Sequence, residues 1–451
     1  MFATLPAQPA TFFSDTFEFR QLARIPYFAI TKTTCGDADH DGLQEFYAIA
    51  QWFPHDAYII EFNPDMTCDT IRLPKMWNSS FYFIGDIDRD RKTDLVIIDE
   101  NHELLVYESE TDTSLPLRRV WSHQIGGWGG DPIVTDLDRD GCQEIIFYHN
   151  YLPPPSIAIF ENVGDNCYAF KNPFPVTVPS RATEAFGYTP DIDRDGFPEL
   201  FLINSGVVVY EAVGNDTFVI RTIRPLPIPA QGCCAPVAGS ADMDGDGRNE
   251  AIIFVTDYLD EGMLAIFESP VNDSIEMVWD TLFPAAHMEE ATLSVGDVTG
   301  DGIPEFALGY SGNICLFRCS GNNRYEEFWH KIVPWYSYNV GLYDLNNDGR
   351  AEVICMEDST TIYEYFPLGL AEQQHKALEQ VKISPSIVAK GKPILFDQLP
   401  EGARVEIVDI TGTVVAEPKK LWQTRTINTG TYFVRLKLGN QTLTRKLLVV
   451  K

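Results

Sequence analysis

The chain has 451 residues, 45% of them apolar, which is enough for two or three domains with buried cores and excludes global disorder. A formal charge of −31 argues against a nucleic-acid partner, and no stretch is long and apolar enough to span a bilayer. The charge is uneven: residues 381–451 hold 12 Lys and Arg against 5 Asp and Glu, a net of +7, which leaves −38 on the rest.

Met1–Ala10 has neither a basic n-region nor a long apolar h-region, so a secreted form would carry its signal outside this sequence. The segment Asp15–Pro26 is strand-like, and beyond it a repeat begins. Nine residues from Asp37, DADHDGLQE, place carboxylates at positions 1, 3, 5 and 9 and glycine at position 6. The pattern recurs from Asp86 (DIDRDRKTD), Asp136 (DLDRDGCQE), Asp191 (DIDRDGFPE), Asp242 (DMDGDGRNE), Asp297 (DVTGDGIPE) and Asp344 (DLNNDGRAE). The starts lie 49, 50, 55, 51, 55 and 47 residues apart. A near-constant period of this size marks a solenoid, a propeller or an array.

The spacing has a chemical reason. A hard cation such as Ca²⁺ takes about six to eight oxygens, and a short acidic loop can wrap them around it. Glycine at position 6 permits the positive φ of a tight turn. The carbonyl at position 7 offers a further oxygen. The loop is not an EF-hand, because position 12 of the third copy is Phe147, inside an apolar run, where that motif needs a bidentate Glu. A single copy would equally describe an acidic turn that binds nothing; seven copies at one period do not.

The candidate ligands follow loop by loop. They are Asp37, Asp39, Asp41 and Glu45 with the carbonyl of Leu43, then Asp86, Asp88, Asp90 and Asp94 with that of Lys92. The third and fourth sets are Asp136, Asp138, Asp140 and Glu144 with Cys142, and Asp191, Asp193, Asp195 and Glu199 with Phe197. The fifth is Asp242, Asp244, Asp246 and Glu250 with Arg248. The last two are Asp297, Thr299, Asp301 and Glu305 with Ile303, and Asp344, Asn346, Asp348 and Glu352 with Arg350. These loops hold 26 of the 65 acids, a density that repels itself unless cations sit in it. Several Ca²⁺, up to seven, are therefore expected. In the second loop Arg91 replaces the glycine and Lys92 adds a positive charge, so that site is expected to be weak or empty. Thr299 and Asn346 keep an oxygen at position 3 but lose its charge.

Around each loop the sequence predicts four short strands. A lead-in segment such as Phe81–Ile84 precedes the loop, and an apolar run such as Leu95–Ile98 or Leu200–Ile203 follows it. A third strand carries an aromatic near its end, as at Tyr107, Phe160, Tyr210 and Phe267, and a mixed fourth strand closes the unit, as at Thr217–Arg221. Four strands per roughly 50 residues is the pattern of a propeller blade. Position 2 of every loop is apolar, which predicts that it pins the loop to the blade core. The seventh unit has a third strand at Thr361–Tyr365 and then leaves the pattern. Asp15–Pro26 resembles the fourth strand of unit four, Asp216–Pro227, and is expected to complete the seventh unit and close the ring.

The expected fold is all-β: a seven-bladed β-propeller over 1–367, followed by a small Ig-like β-sandwich. Residues 368–380 have helix-forming composition and read as a linker. Past them, Ile394–Phe396, Val405–Ile410, Val414–Val415, Thr431–Leu436 and Lys446–Val450 read as strands of a C-terminal domain over 381–451. The nine cysteines do not fix the compartment. Cys315 and Cys319 stand four apart in a strand, roughly 13 Å, too far to bond each other. Cys233 and Cys234 are adjacent, and the absence of a CxxC pair argues against a thiolate zinc site.

The seven D-x-D-x-D-G-x-x-[DE] loops resemble the FG-GAP/VCBS repeat family, the integrin-alpha-like calcium-loop propellers, over residues 15–367. The resemblance implies metal ligands at loop positions 1, 3, 5 and 9 with the carbonyl of position 7. The flanks are closer to VCBS repeats than to integrin repeats. The C-terminal domain resembles a type IX secretion C-terminal sorting domain, on Ile383–Pro385, Val405–Val415, Ile427–Arg435 and Lys446–Lys451. That resemblance implies export to the bacterial cell surface or medium by the type IX machinery.

No HExxH, GxSxG or P-loop motif is present, and the eight histidines are scattered. The prominent acids are already explained as metal ligands. The expected function is therefore a calcium-stabilised binding or adhesion module for an extracellular glycan or protein. The alternative is a carbohydrate-active enzyme, a polysaccharide lyase or hydrolase, on a related propeller. In an up-and-down blade the calcium loops share one face with the third-to-fourth turns. The opposite face collects Gly126–Gly130, Tyr151, Pro153–Pro155, Tyr258, His287 and Trp335–Tyr338. Aromatic rings give amphipathic contact area, and Trp128, Trp335 and Tyr336 are the candidate ligand-binding residues.

Overall fold

The second and third strands of each unit are apolar at successive positions, not at alternate ones. A strand of that kind needs cover on both faces. The computed structural model supplies it by stacking small antiparallel sheets face to face. It describes residues 17–25, 34–49, 57–63, 67–73, 80–99, 101–125, 132–149, 156–175, 186–189, 191–203, 206–227, 237–238, 241–256, 261–284, 291–334, 339–356, 359–368, 377–400, 402–438 and 441–451. By internal contacts the chain divides into one unit over 21–364 and a second over 365–451 that also takes the start of the first strand, up to Arg20.

Among the described residues the first unit is built on seven four-stranded antiparallel sheets. The second sheet is typical: Ser80–Gly85, Asp94–Ile98, Glu103–Glu108 and Arg118–Gln124 pair in sequence order. The seventh departs from that order. Its strands are Val340–Tyr343, Glu352–Met356 and Thr360–Pro367, and its outer strand is Phe17–Ile25 from the N-terminal end of the chain. Arg24 Nε donates to Ser359 Oγ at 2.6 Å beside that pairing.

Successive sheets share cores. Leu95 and Ile97 point towards Tyr47 and Ile59 of the first sheet. Val96, between them, joins Ile145 and Phe147 of the third. Ile146 and Ile159 meet Leu200 and Val208, and Phe201 and Val209 meet Ile253 and Ala265. Phe254 and Leu264 meet Phe306 and Leu308. The sixth and seventh sheets are joined by Val340 N–H to Thr292 Oγ1 (3.0 Å) and Leu342 N–H to Ser294 Oγ (2.9 Å). Their inner strands approach so closely that a Cβ on Gly296 would stand 2.9 Å from Ala351 Cβ and 3.0 Å from Leu342 Cβ. Ile354 and Ile362 of the seventh sheet share a core with Phe46 and Ile60 of the first.

The second unit holds a three-stranded and a five-stranded sheet around one core of Ile394, Phe396, Val405, Ile407, Val434, Leu436, Leu447 and Val449. Its strands include the short Lys382–Ser384, Ile387–Ala389 and Leu421–Gln423, which the apolar pattern alone did not mark. Leu378 lies among the helical residues 377–379 and is fully buried in this core with Val381. Arg445 fixes the approach by donating to the carbonyls of Val381 (2.6 Å) and Glu379 (2.5 Å). The end of the stretch read as linker is thus part of the packed unit.

Candidate metal centres

Each acidic loop joins the first and second strands of one sheet, and its local conformation follows from its residue types. Position 4 has positive φ in every copy: His40, Arg89, Arg139, Arg194, Gly245, Gly300 and Asn347. So has position 6, at Gly42, Gly141, Gly196, Gly247, Gly302 and Gly349 with φ of 86–104° and at Arg91 with φ 74°. Arg91 therefore adopts the glycine conformation at a steric cost, and the second loop keeps the shape of the others. The short acidic side chains hold these turns by accepting local N–H groups. Position 5 accepts the N–H of position 7 in all seven loops, as with Cys142 to Asp140 Oδ1 (2.8 Å). Position 1 accepts the N–H of position 6 in six, as with Gly141 to Asp136 Oδ2 (3.1 Å).

Position 9 starts the second strand and turns its carboxylate back under the loop. One oxygen accepts the N–H of position 2 in every copy, at 2.5–2.9 Å. The position-2 side chains, Ala38, Ile87, Leu137, Ile192, Met243, Val298 and Leu345, are 0–1% exposed and anchor the loop in the sheet core. The other oxygen of Glu45, Asp94, Glu144 and Glu250 is buried with no hydrogen-bond donor. Asp37 and Asp136 each leave one buried oxygen in the same state. In the third, fourth and fifth loops one carboxylate oxygen from each of positions 1, 3, 5 and 9 lies within 4.8 Å of the others.

Such convergence is costly without a counter-charge, and the acidities respond. Burial pushes Glu144 up to about 9, and Glu45, Asp94, Glu250 and Glu352 up to about 8, with neighbouring loop carboxylates adding to the rise. Glu305 rises less, to about 7, under burial opposed by bonds from Thr299. The donor set is hard oxygen throughout, and the unsatisfied buried oxygens point inward. These residues fit a calcium-like ion: they could hold it through positions 1, 3, 5 and 9, with charge compensation as its chemistry.

Two features of the site were missed in the sequence. The first is a strap between sheets. The far oxygen of position 3 accepts a backbone N–H from the third-to-fourth turn of the next sheet. Asn166 bonds to Asp88 (2.6 Å), Asp216 to Asp138 (2.6 Å), Asp273 to Asp193 (2.6 Å) and Asn323 to Asp244 (2.7 Å). Those four turn residues have φ of 52–61°, so the Asn/Asp preference of the turns was the available signal. The second is a row of carboxylates at the end of the third strands. Glu61, Glu108, Glu161, Glu211 and Glu268 sit directly across from Glu45, Asp94, Glu144, Glu199 and Glu250. Most are paired: Arg118 and Lys92 with Glu108, Lys171 with Glu161 (2.7 Å), Arg221 with Glu211 (2.6 Å) and Arg248 with Glu268. An aromatic-Glu step, such as Tyr107-Glu108 or Phe160-Glu161, marks four of the five in the sequence, and Glu61 follows Ile60.

Lys92 Nζ also meets Asp90, so an ammonium group contacts the fifth position of the second loop. Among the described residues, Cys35, Cys68, Cys142, Cys167, Cys315, Cys319 and Cys355 form no disulfide. Trp128, Trp335 and Tyr336, with the rest of the aromatic and glycine set that the sequence assigns to the opposite face, lie outside the described residues. So do Cys233 and Cys234.

A model of the FG-GAP-like repeat family matches residues 297–355, a span that contains the sixth and seventh loops. No curated protein matches the chain. Among solved structures, the BP39L lectin from Burkholderia pseudomallei is similar at 12% identity and a TM-score of 0.55, over 76% of this chain and 97% of that one. An Agrocybe aegerita lectin, described as recognising non-reducing terminal N-acetylglucosamine, aligns at 14% identity over 72% of this chain and 88% of that one. Its TM-score is 0.42. No helix among the described residues is long and apolar enough to cross a membrane. The chain is an all-β, propeller-like repeat protein that carries an FG-GAP-like repeat.

Proposed function

We propose that this protein is a secreted or cell-surface binding module, a seven-bladed propeller whose acidic loops hold calcium. The observation that carries the reading is the set of buried, donor-less carboxylate oxygens of Glu45, Asp94, Glu144 and Glu250, each at the same place in its loop. The blade count is supported by the seven sheets and by the cores and hydrogen bonds that link each to the next and the seventh to the first. The binding role rests on the loops, which use their acids for structure, and on the propeller-like likeness to a lectin. The ligand is a glycan or protein met outside the cell, at the face that carries Trp128, Trp335 and Tyr336. The second unit, Ig-like in its two sheets, acts as the type IX sorting domain.

The test is a glycan array run with calcium and with chelator, followed by Trp128→Ala, Trp335→Ala and Tyr336→Ala together. Binding that disappears in the triple variant while the melting temperature holds supports the site. A melt that collapses makes these rings core. Turnover of a polysaccharide in place of stoichiometric binding would favour the enzymatic alternative.

A further inference from the structure

The seven loops share one backbone but do not close alike. In the first, second, third and fifth loops the inner oxygen of position 9 is buried and meets no donor. In the sixth loop, Thr299 Oγ1 donates to Glu305 Oε1 at 3.0 Å, and the Thr299 N–H adds a bond to Oε2 at 3.1 Å. In the seventh, Asn346 Nδ2 donates to Glu352 Oε1 at 2.9 Å. The orientation of that amide is fixed by its other end. Asn346 Oδ1 accepts the Asp348 N–H at 2.9 Å, as Asp138 Oδ1 accepts the Asp140 N–H in the third loop. The nitrogen is therefore the atom left to face the carboxylate.

The substitutions fall at a particular place in the ring of sheets. In the second to fifth loops the far oxygen of position 3 is occupied by an N–H from the next sheet's third-to-fourth turn. In the seventh sheet the outer strand is Phe17–Ile25, which is not continuous with Thr360–Pro367. Among the described residues, no N–H from the seventh sheet is seen on position 3 of the sixth loop. The seventh loop reaches the first sheet through Asn347, whose Nδ2 donates to Gly42 O at 2.8 Å. Thr299 lies in the loop of the sheet before the one completed by the N-terminal strand, and Asn346 lies in that completed sheet's own loop. A carboxylate at position 3 leaves the buried oxygen of position 9 facing like charge and in need of a cation. A hydroxyl or amide donor at position 3 satisfies that oxygen directly.

We propose that position 3 sorts the loops into two classes: five with Asp that hold a calcium-like divalent cation, and two, closed by Thr299 and Asn346, that hold none and latch the seam of the ring. This deepens the calcium reading above and rests on it. The test uses the full chain, stripped with chelator, dialysed into metal-free buffer and titrated with calcium chloride, with bound metal counted by elemental analysis. Five ions per chain are expected at saturating calcium, with the second loop the last to fill because Lys92 contacts Asp90. Seven would overturn the division and leave the calcium reading standing, whereas none would sink the calcium reading itself. Thr299→Asp and Asn346→Asp should each add one ion, and an unchanged count in both overturns the role of position 3. Glu352→Gln should leave the wild-type count intact, whereas Glu144→Gln should lower it by one. Loss of an ion with Glu352→Gln overturns the proposal. Near-ultraviolet circular dichroism of each variant separates a lost site from a lost fold.

Discussion

The two units of the chain are both all-β, yet they balance charge in opposite ways. The C-terminal unit is basic and satisfies its acids from within. Glu406 is held by Lys437 Nζ at 2.6 Å and Arg435 at 3.3 Å, and these cations keep its carboxyl below the usual range. Asp409 accepts Thr411 and Thr413 N–H groups in a tight turn and is also held below the ordinary carboxylate range, with the Thr411 hydroxyl bond the main cause. The acidic unit instead buries carboxylates whose acidities rise. One unit meets these acids with its own side chains and N–H groups, and the other leaves buried carboxylates for which we propose a cation from solution.

Chelation should break this contrast most visibly. At a hundredfold excess of calcium over Kd, each independent site adds about 2.7 kcal/mol to a fold that binds only when folded. Calorimetry with and without chelator should therefore show the propeller transition falling steeply and recovering with calcium. Amide exchange in residues 382–451 should barely change. An unchanged propeller melt, with no metal by elemental analysis, would end the calcium reading.

Leu378→Ala sharpens the contrast from the other side. Leu378 is fully buried in the C-terminal core, and truncating such a side chain costs about 2–5 kcal/mol. Exchange protection should drop across 382–451, and the calcium count should stay as it was. A sorting-domain deletion should accordingly start at residue 377, ahead of Leu378 and Val381. That deletion should abolish export in a host with type IX secretion, and normal surface delivery would refute the sorting role.

The sequence made the repeat legible because the loop chemistry is local. Carboxylates at fixed offsets and a glycine at a left-handed position need no tertiary context, and neither do the apolar runs that each sheet buries on both faces. One tertiary relation was legible, the pairing of the N-terminal strand with the seventh sheet, and the others were not. Asp138 reads as a ligand, and only the fold reveals that its other oxygen holds the Asp216 N–H of the next sheet at 2.6 Å. Glu161 reads as the end of a strand until pairing sets it across from Glu144. Leu378 looked like linker because one buried residue in a polar segment has no periodicity to announce it. Thr299 and Asn346 were legible as lost charge, and the structure adds that each is a donor to the carboxylate six residues on.

A comparison within the acidic unit is finer. Asp191→Ala removes a ligand from a loop with every consensus residue and should forfeit up to about 2.7 kcal/mol of calcium-dependent stability. Asp86→Ala should forfeit less, because Lys92 already contacts Asp90 and Glu108. Calcium-dependent shifts in melting temperature measure both. Equal losses would make the second loop a full site despite its two basic residues.

The smallest effect isolates the backbone of that second loop. Arg91 sits at φ 74°, where its six counterparts are glycine. A side chain in the left-handed region costs about 1–2 kcal/mol, and glycine returns part of that gain as greater freedom in the unfolded chain, about 0.4–1 kcal/mol. Arg91→Gly should therefore stabilise the protein by about 0.5–1 kcal/mol, in chelator as well as in calcium. Arg91→Ala separates geometry from charge, since it removes the guanidinium but keeps the Cβ in the strained conformation. It should leave the chelated melt unchanged while tightening calcium at this loop, by an amount that salt screens. If Arg91→Ala stabilises the chelated protein as much as Arg91→Gly does, the cost at this position is electrostatic, and the shared left-handed turn is not what makes glycine the residue of choice there.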